Sequence, residues 1–429
     1  VNPLRDQFLL EPDVVFLNHG SFGATPADVF AEYQAWSLRL ERQPVRLLQR
    51  EIDGLLREAR IPLAAFMNAD PEGLVFIENA TTGVNIAARA LCRAGAIGPG
   101  DEVLTTDHEY GACVYAWEAE LARVGARLVV VPIPTPLETA DAFVARLFAG
   151  VTARTRAVFM SHITSATALT FPAAAVCAQA RAHGLLTVID GAHAPGQIPL
   201  DVTAIGADYY TGNLHKWLCA PKGAAFLSVA ARWQAETEPP MVSWGYAPGA
   251  SFTDRMHMQG TRDPAAYLSV PAALAFAARP DVTAARHAAY ALTADAHTGL
   301  CALPGTAPLS AVYADAAPGA PRWFAQMAAV ALPPCSTAAL KTALLDRYHV
   351  EIPVYEWNGR PLVRISVAVY TSSSEVGRLL SALGDALGDK PSGPLSDKPS
   401  GPLSDERSDP LSDKRSGGYS RRSDEVAHA

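Results

Sequence analysis

An α/β fold, with a mostly parallel central sheet and a second, smaller α+β domain, is predicted by three features of the 429-residue sequence. Apolar strand-like runs alternate with helical patterns through the middle of the chain, which is the mark of successive βαβ units. The pattern changes near Asp263 to an Ala-rich helical stretch followed by helices and short strands. With 49% hydrophobic residues, a chain of this length buries a sizeable core and has material for two domains and an appendage.

In chain order, the candidate strands are Leu74 to Ile77, Glu102 to Thr105, Leu128 to Val131, Ala157 to Met160 and Leu185 to Ile189, with a later one at Gly223 to Leu227. Between them Val84, Ala87, Ala88 and Leu91 keep helical spacing, as do Leu340, Leu344 and Leu345 further on. The Ala-rich run Pro271 to Ala278 opens the second domain, and Leu362 to Val367 reads as one of its strands. The expected organisation is an N-terminal segment 1–45 packing with the small domain, a large domain 46–262, a small α+β domain 263–384 and a tail 385–429. In the tail, Asp389-Lys390-Pro391-Ser392-Gly393-Pro394-Leu395-Ser396 recurs from Asp397, Asp405 and, degraded, Asp413. With one Leu per repeat among Pro, Ser, Gly and charge, it buries too little surface to fold. It is read as disordered and dispensable for chemistry.

Composition narrows the function classes. A net charge of −8 without a compact basic cluster argues against a nucleic-acid partner. No apolar run is long enough to span a bilayer, and charged residues interrupt the N-terminal stretch, so neither membrane insertion nor secretion is expected. Cys92, Cys113, Cys177, Cys219, Cys301 and Cys335 are widely spaced, with no CxxC or Cys/His cluster. They read as reduced thiols of a cytoplasmic protein, with no metal site.

Two stretches carry chemistry, Val188-Ile189-Asp190-Gly191-Ala192-His193 and Tyr209 to Trp217, which contains His215 and Lys216. Each places a charged residue after a strand-like run. Together they supply what pyridoxal phosphate requires, a carboxylate for its ring nitrogen and an amine for its aldehyde. Alone, the Asp would read as a cap or ion-pair partner and the Lys as solvated. An ionised Asp190 would keep the ring protonated and so stabilise negative charge at Cα. Lys216 would bond the aldehyde, yield it to the substrate amine and then act as general base, which desolvation would favour by lowering its pKa. His193 could reach the ring hydroxyl, or be an ordinary loop histidine. Glu78-Asn79-Ala80-Thr81-Thr82-Gly83 joins a strand to a helix, so Ala80, Thr81 and Thr82 offer N–H and hydroxyl groups where the helix dipole favours a phosphate. An Asn or Thr helix cap would explain the same residues. In Thr106-Asp107-His108-Glu109-Tyr110-Gly111-Ala112, either His108 or Tyr110 could provide a flat face for the ring.

In sequence order these motifs resemble the class V aminotransferases of fold type I, especially the branch containing isopenicillin N epimerase and the ergothioneine-pathway C–S lyases. The likeness also rests on Phe16 to Gly23, Asp190 to Gly196, Gln259-Gly260-Thr261-Arg262-Asp263 and Val363-Arg364-Ile365-Ser366, and spans about residues 14–384. It implies a seven-stranded central sheet. Lys216 matches the Schiff-base lysine, Asp190 the pyridine partner and His193 the ring-hydroxyl contact. Thr81, Thr82 and His215 match phosphate contacts, and Thr261 a residue reaching the phosphate of a neighbouring subunit, which implies a homodimer. Arg364 matches the arginine that forks onto the substrate carboxylate. Asn18 and His19 would line the substrate side, with Arg46 a further candidate.

One departure narrows the reaction. The nucleophilic Cys that desulfurases carry shortly before the carboxylate-binding arginine is missing between Tyr348 and Val363. Val350-Glu351-Ile352-Pro353-Val354, followed by Trp357, stands there instead and reads as a partly apolar binding wall or a short buried strand. The expected function is PLP-dependent chemistry at Cα of a small amino-acid-like substrate, epimerase-like, with C–S lyase and then aminotransferase as alternatives. Epimerisation needs a second acid beside Lys216, for which Tyr110, His108 and His19 are candidates. A regulator that binds the cofactor without turnover is the reading from a different class, and the presence of both Asp190 and Lys216 argues against it.

Overall fold

The computed structural model describes residues 2–310 and 323–388, so the repeats from Asp389 onward lie outside the described residues. In chain order the strands are β1 (Val15–Phe16), β2 (Leu74–Ile77), β3 (Glu102–Thr106), β4 (Arg127–Val131), β5 (Thr155–Ser161), β6 (Leu186–Asp190), β7 (Tyr209–Asn213), β8 (Ala225–Val229), β9 (Ala307–Pro308), β10 (Met327–Ala331), β11 (Val350–Glu351), β12 (Val354–Trp357) and β13 (Arg360–Ser366). Seven of them form one sheet in the order β2-β8-β7-β6-β5-β3-β4. Only β8 opposes its neighbours; the other adjacent pairs are parallel.

The strand side chains alternate between the two faces of this sheet. Leu74, Phe76, Val158, Met160 and Ile189 enter one apolar cluster, while Val75, Ile77, Ala157, Phe159 and Val188 enter another. Because helices cover both faces, each run reads as continuously hydrophobic. Full burial of one such large side chain is worth roughly 1.5–3 kcal/mol. The helix Ala80–Arg93 starts where the Asn79 side chain accepts from the Thr82 N–H, and Gly111–Val124 ends at Gly125, whose φ of 72° suits the residue after a helix.

A second sheet, β12-β13-β10-β9, is antiparallel throughout. It packs against the helices Pro280–Cys301 and Thr337–Tyr348, with Ser373–Gly388 adjoining them. Leu340 and Leu344 are buried there, whereas Leu345 is 38% exposed. β1 pairs in parallel with β11, and the Ser366 N–H donates to the Leu17 carbonyl, which lays Asn18–Phe22 beside the end of β13. The helices Ala265–Leu268 and Val270–Ala277 pack on Ala27–Arg42 and Ile52–Phe66, so the chain does not divide into separate bodies at 262. Residues through Gly388 form one compact unit, and the last helix runs past 384.

The strand directions decide where chemistry can occur. The carboxyl ends of β2, β3, β5, β6 and β7 lie along one edge, which brings Asn79, Tyr110, Ser161, Asp190 and Lys216 together, as is usual for open α/β sheets. Among the described residues no helix is long and apolar enough to cross a membrane, and no group of three His, Cys, Asp or Glu is placed to hold a metal. All six cysteines are free.

Candidate active site

A cavity of about 560 Å³ opens at that edge, within the range usual for small-molecule sites. Asp190 ends β6. Its Oδ1 accepts from the Ala192 N–H at 2.9 Å, and its Oδ2 accepts from the Cys113 thiol at 3.5 Å. Burial raises its pKa, opposed by the Ala192 N–H, Lys216 and the thiol. Lys216 follows β7, its Nζ 3.3 Å from His193 Nε2. Burial first, then the Arg364 guanidinium, lower Lys216 to about 8, while Asp190 pulls it upward. The two loops can approach because residue 196 is glycine, with φ of 84°; a Cβ there would lie 2.5 Å from the Trp217 carbonyl oxygen.

His193 is buried, and its pKa falls well below the usual value, first through burial and then through Lys216. Its Nδ1 lies 3.4 Å from the Trp217 indole N–H, and its Nε2 faces Lys216 Nζ. His215 is lowered to about 4, mainly by burial, and donates Nδ1–H to the Ala224 carbonyl at 3.1 Å. Its Nε2 is therefore an acceptor until a nearby anion favours the imidazolium.

At the start of Ala80–Arg93 two amides are already engaged. Ala80 N–H donates to Asn213 Oδ1 at 2.9 Å, and Thr82 N–H to Asn79 Oδ1 at 2.9 Å. Thr81 lines the cavity, Thr82 does not, and both the cap and the anion-site readings of this turn describe part of it. Arg364 is 3% exposed. Nη1 donates to the Ser165 carbonyl at 2.6 Å and to Ser165 Oγ at 3.3 Å, and Nη2 to Ser21 Oγ at 3.0 Å, while Nε has no partner among the described residues.

Several expected residues sit elsewhere. Tyr110 lines the cavity, 48% exposed, but His108 is fully buried behind it. His108 accepts from Thr167 Oγ1 at 2.8 Å and donates to the Ile133 carbonyl at 2.9 Å, and its ring packs 4.5 Å from that of Trp357. His108 is thus corrected from a ring-facing residue to part of the wall's support, as is Trp357, while Pro353 and Tyr355 form the wall. His19 does not line the cavity either. It is neutral, lowered to about 3 by burial, and bridges Tyr370 Oη at 2.9 Å to the Lys216 carbonyl at 3.0 Å. Asn18 holds Ser21 and Glu351, and it is Ser21 and Phe22 that face the cavity. Arg46 is exposed and ion-paired with Glu51. Thr261 lines a separate cavity of about 420 Å³, beside Val45, Trp244 and Tyr267.

The sequence reading passed over Asn213, Ser161, Ser165, Tyr355 and Glu109. Asn213 and Glu109 lie inside stretches singled out for their neighbours, and position at a strand end was the signal that would have found Ser161 and Asn213.

An acid and a lysine facing one cavity at the carboxyl edge of this sheet define a PLP-dependent enzyme of fold type I. The chain belongs to the aminotransferase class V family, whose model matches residues 16–379 and whose members use pyridoxal phosphate. It is 37% identical over 399 residues to isopenicillin N epimerase of Streptomyces clavuligerus, covering 89% of this chain and 97% of that one. It is 29% identical over 410 residues to a probable chloroplastic L-cysteine desulfhydrase of Arabidopsis thaliana, covering 88% and 84%. Among solved structures, a C-DES mutant with glycine covalently linked to its PLP cofactor has a TM-score of 0.76 at 24% identity, covering 89% of this chain and 99% of that one; this likeness concerns the fold.

Proposed function

We propose that the chain acts at Cα of an amino-acid-like substrate and changes its configuration, as an epimerase. The observation that carries this reading is the grouping around one cavity of Asp190, Lys216 and Arg364, whose Nε is unpaired among the described residues. The residues fit the cofactor: a largely enclosed lysine with a lowered pKa, a carboxylate at a strand end and a helix start are the donor set it needs. Bound pyridoxal phosphate supplies an aldehyde for the amine and a cationic ring that draws electrons from Cα.

In this reading Lys216 holds the cofactor and moves the Cα proton, Asp190 faces the ring nitrogen, and His193 faces the ring hydroxyl through its Nε2. Ala80, Thr81 and His215, which line the cavity, serve the phosphate, with His215 taking up a proton as the anion arrives, whereas Thr82 is held by Asn79 and supports the turn. Arg364 takes the substrate carboxylate. Thr261 serves the phosphate of a second copy, which makes the enzyme a homodimer. The nearby exposure of Trp244 (91%), Val242 and Met241 supports that arrangement, since monomers rarely leave such a patch open.

Epimerisation needs a second group to return the proton on the opposite face. Of Tyr110, His108 and His19, only Tyr110 lines the cavity, so it is assigned that role. The test is Tyr110→Phe in deuterated solvent, with D-product and Cα exchange followed together. The expected result is exchange retained and D-product lost. Loss of neither removes Tyr110 from the reaction. Pyruvate formed from cysteine or a cysteine sulfoxide by the unaltered enzyme, without D-product, replaces the epimerase with β-elimination, the reading that the likeness to a desulfhydrase favours.

A further inference from the structure

Glu109 belongs to the turn after β3, directly before Tyr110 of the cavity wall. Its Oε1 accepts from Thr106 Oγ1 at 2.6 Å. Its Oε2 accepts from both the N–H and the hydroxyl of Ser161, at 2.7 and 2.6 Å. Ser161 ends β5, pairs in register with Asp190 at the end of β6, and lines the cavity. A serine hydroxyl can donate or accept. With its hydrogen committed to Glu109, the Ser161 oxygen can only accept from the cavity.

The charges around Glu109 point the same way. Among the described residues it has no ion-pair partner. The ionisable groups facing it are Asp190 on β6 and Cys113 on the helix Gly111–Val124, whose thiol is held neutral chiefly by burial. Thr106 on β3 and Ser161 on β5 contribute uncharged hydroxyls, and His108 is turned away toward Thr167 and Ile133. Burial, with Asp190 adding to it, raises Glu109 to about 7. Two carboxyl groups enclosed side by side are costly together unless positive charge joins them. Lys216 is one such charge, and a protonated ring beside Asp190 would be a second.

We propose that Glu109 is a positioning residue for the cofactor ring: it fixes Ser161 as a hydrogen-bond acceptor beside Asp190 and adds negative charge that retains a cationic ring. The inference rests on the reading that Asp190 and Lys216 hold the cofactor, and its test separates the two. Holoenzyme is prepared from the unaltered chain, Glu109→Gln, Ser161→Ala and Lys216→Ala, and PLP affinity and the pH midpoint of the visible absorbance band are measured. Glutamine keeps the size and one acceptor oxygen, replaces the other with an NH2 donor, and removes the charge. The E109Q midpoint is expected to fall by about one pH unit, with PLP bound about tenfold more weakly. S161A is expected to weaken binding with a smaller change of midpoint. If both variants match the unaltered enzyme within about twofold in affinity and in midpoint, on the scale of one shifted charge, the inference fails while the cofactor reading stands. A band absent from the unaltered enzyme, or unaffected in K216A, overturns the cofactor reading and this inference with it. Should E109Q fail to fold, S161A tests the same contact from its other side: weaker PLP binding supports the inference and unchanged binding overturns it.

Discussion

Arg364→Lys keeps the positive charge near Lys216 but removes the planar fork. Of the five guanidinium N–H groups, the two on Nη1 reach the Ser165 carbonyl and Ser165 Oγ and one on Nη2 reaches Ser21 Oγ, leaving Nε–H and the second Nη2–H for a ligand. A carboxylate accepting two of these gains hydrogen bonds worth roughly 1.5–3 kcal/mol each where a charged group takes part. Lysine can replace part of the Coulomb attraction but not the paired geometry, so the expected loss is about 2–3 kcal/mol, or about 30- to 150-fold in affinity. The assay is an absorbance titration of holoenzyme with L-amino acids and with the matching amines that lack the carboxylate. Amino-acid binding should weaken by that factor while amine binding changes less than about twofold, because the amine makes no use of the fork. An equal effect on both ligands, or on neither, would refute the assignment of Arg364 to the carboxylate.

Two further predictions concern stability. Lys216 sits at about 8 in the folded chain against an ordinary 10.5, so the unfolded chain binds more protons between those values. Its unfavourable contribution is full below pH 8 and disappears as pH rises to 10.5. Cofactor-free Lys216→Met should therefore resist urea better than the parent at pH 7, by up to about 3 kcal/mol, with the two curves converging above pH 10.5; a constant difference would contradict the shift. Gly83→Ala would place a Cβ 2.2 Å from Thr211 Oγ1, which is itself committed to the Phe226 carbonyl at 2.8 Å. The expected cost is about 1–3 kcal/mol, read as a lowered Tm, and an unchanged Tm would mean that the helix start shifts freely.

Sequence alone determined the sheet and the chemical class. Strands covered on both faces must be apolar at successive positions, so β2, β5 and β6 stood out as short hydrophobic runs. Asp190 and Lys216 were legible because each follows such a run, and the carboxyl ends of parallel strands share an edge. Tertiary structure decided what local pattern does not encode. Tyr110 faces the cavity and His108 the interior because a turn sends residues two apart in different directions, and nothing in their types says which is which. His19 looked like a substrate contact but spans Tyr370 and the Lys216 carbonyl, partners remote in sequence. The Arg364 fork is set by Ser21 and Ser165, brought beside β13 by separate chain segments. Glu109 gained significance only when β5 and β6 placed Ser161 and Asp190 next to each other. A strand needs only local hydrophobicity to be recognised, whereas the direction of a polar side chain depends on whichever distant partner completes its hydrogen bonds.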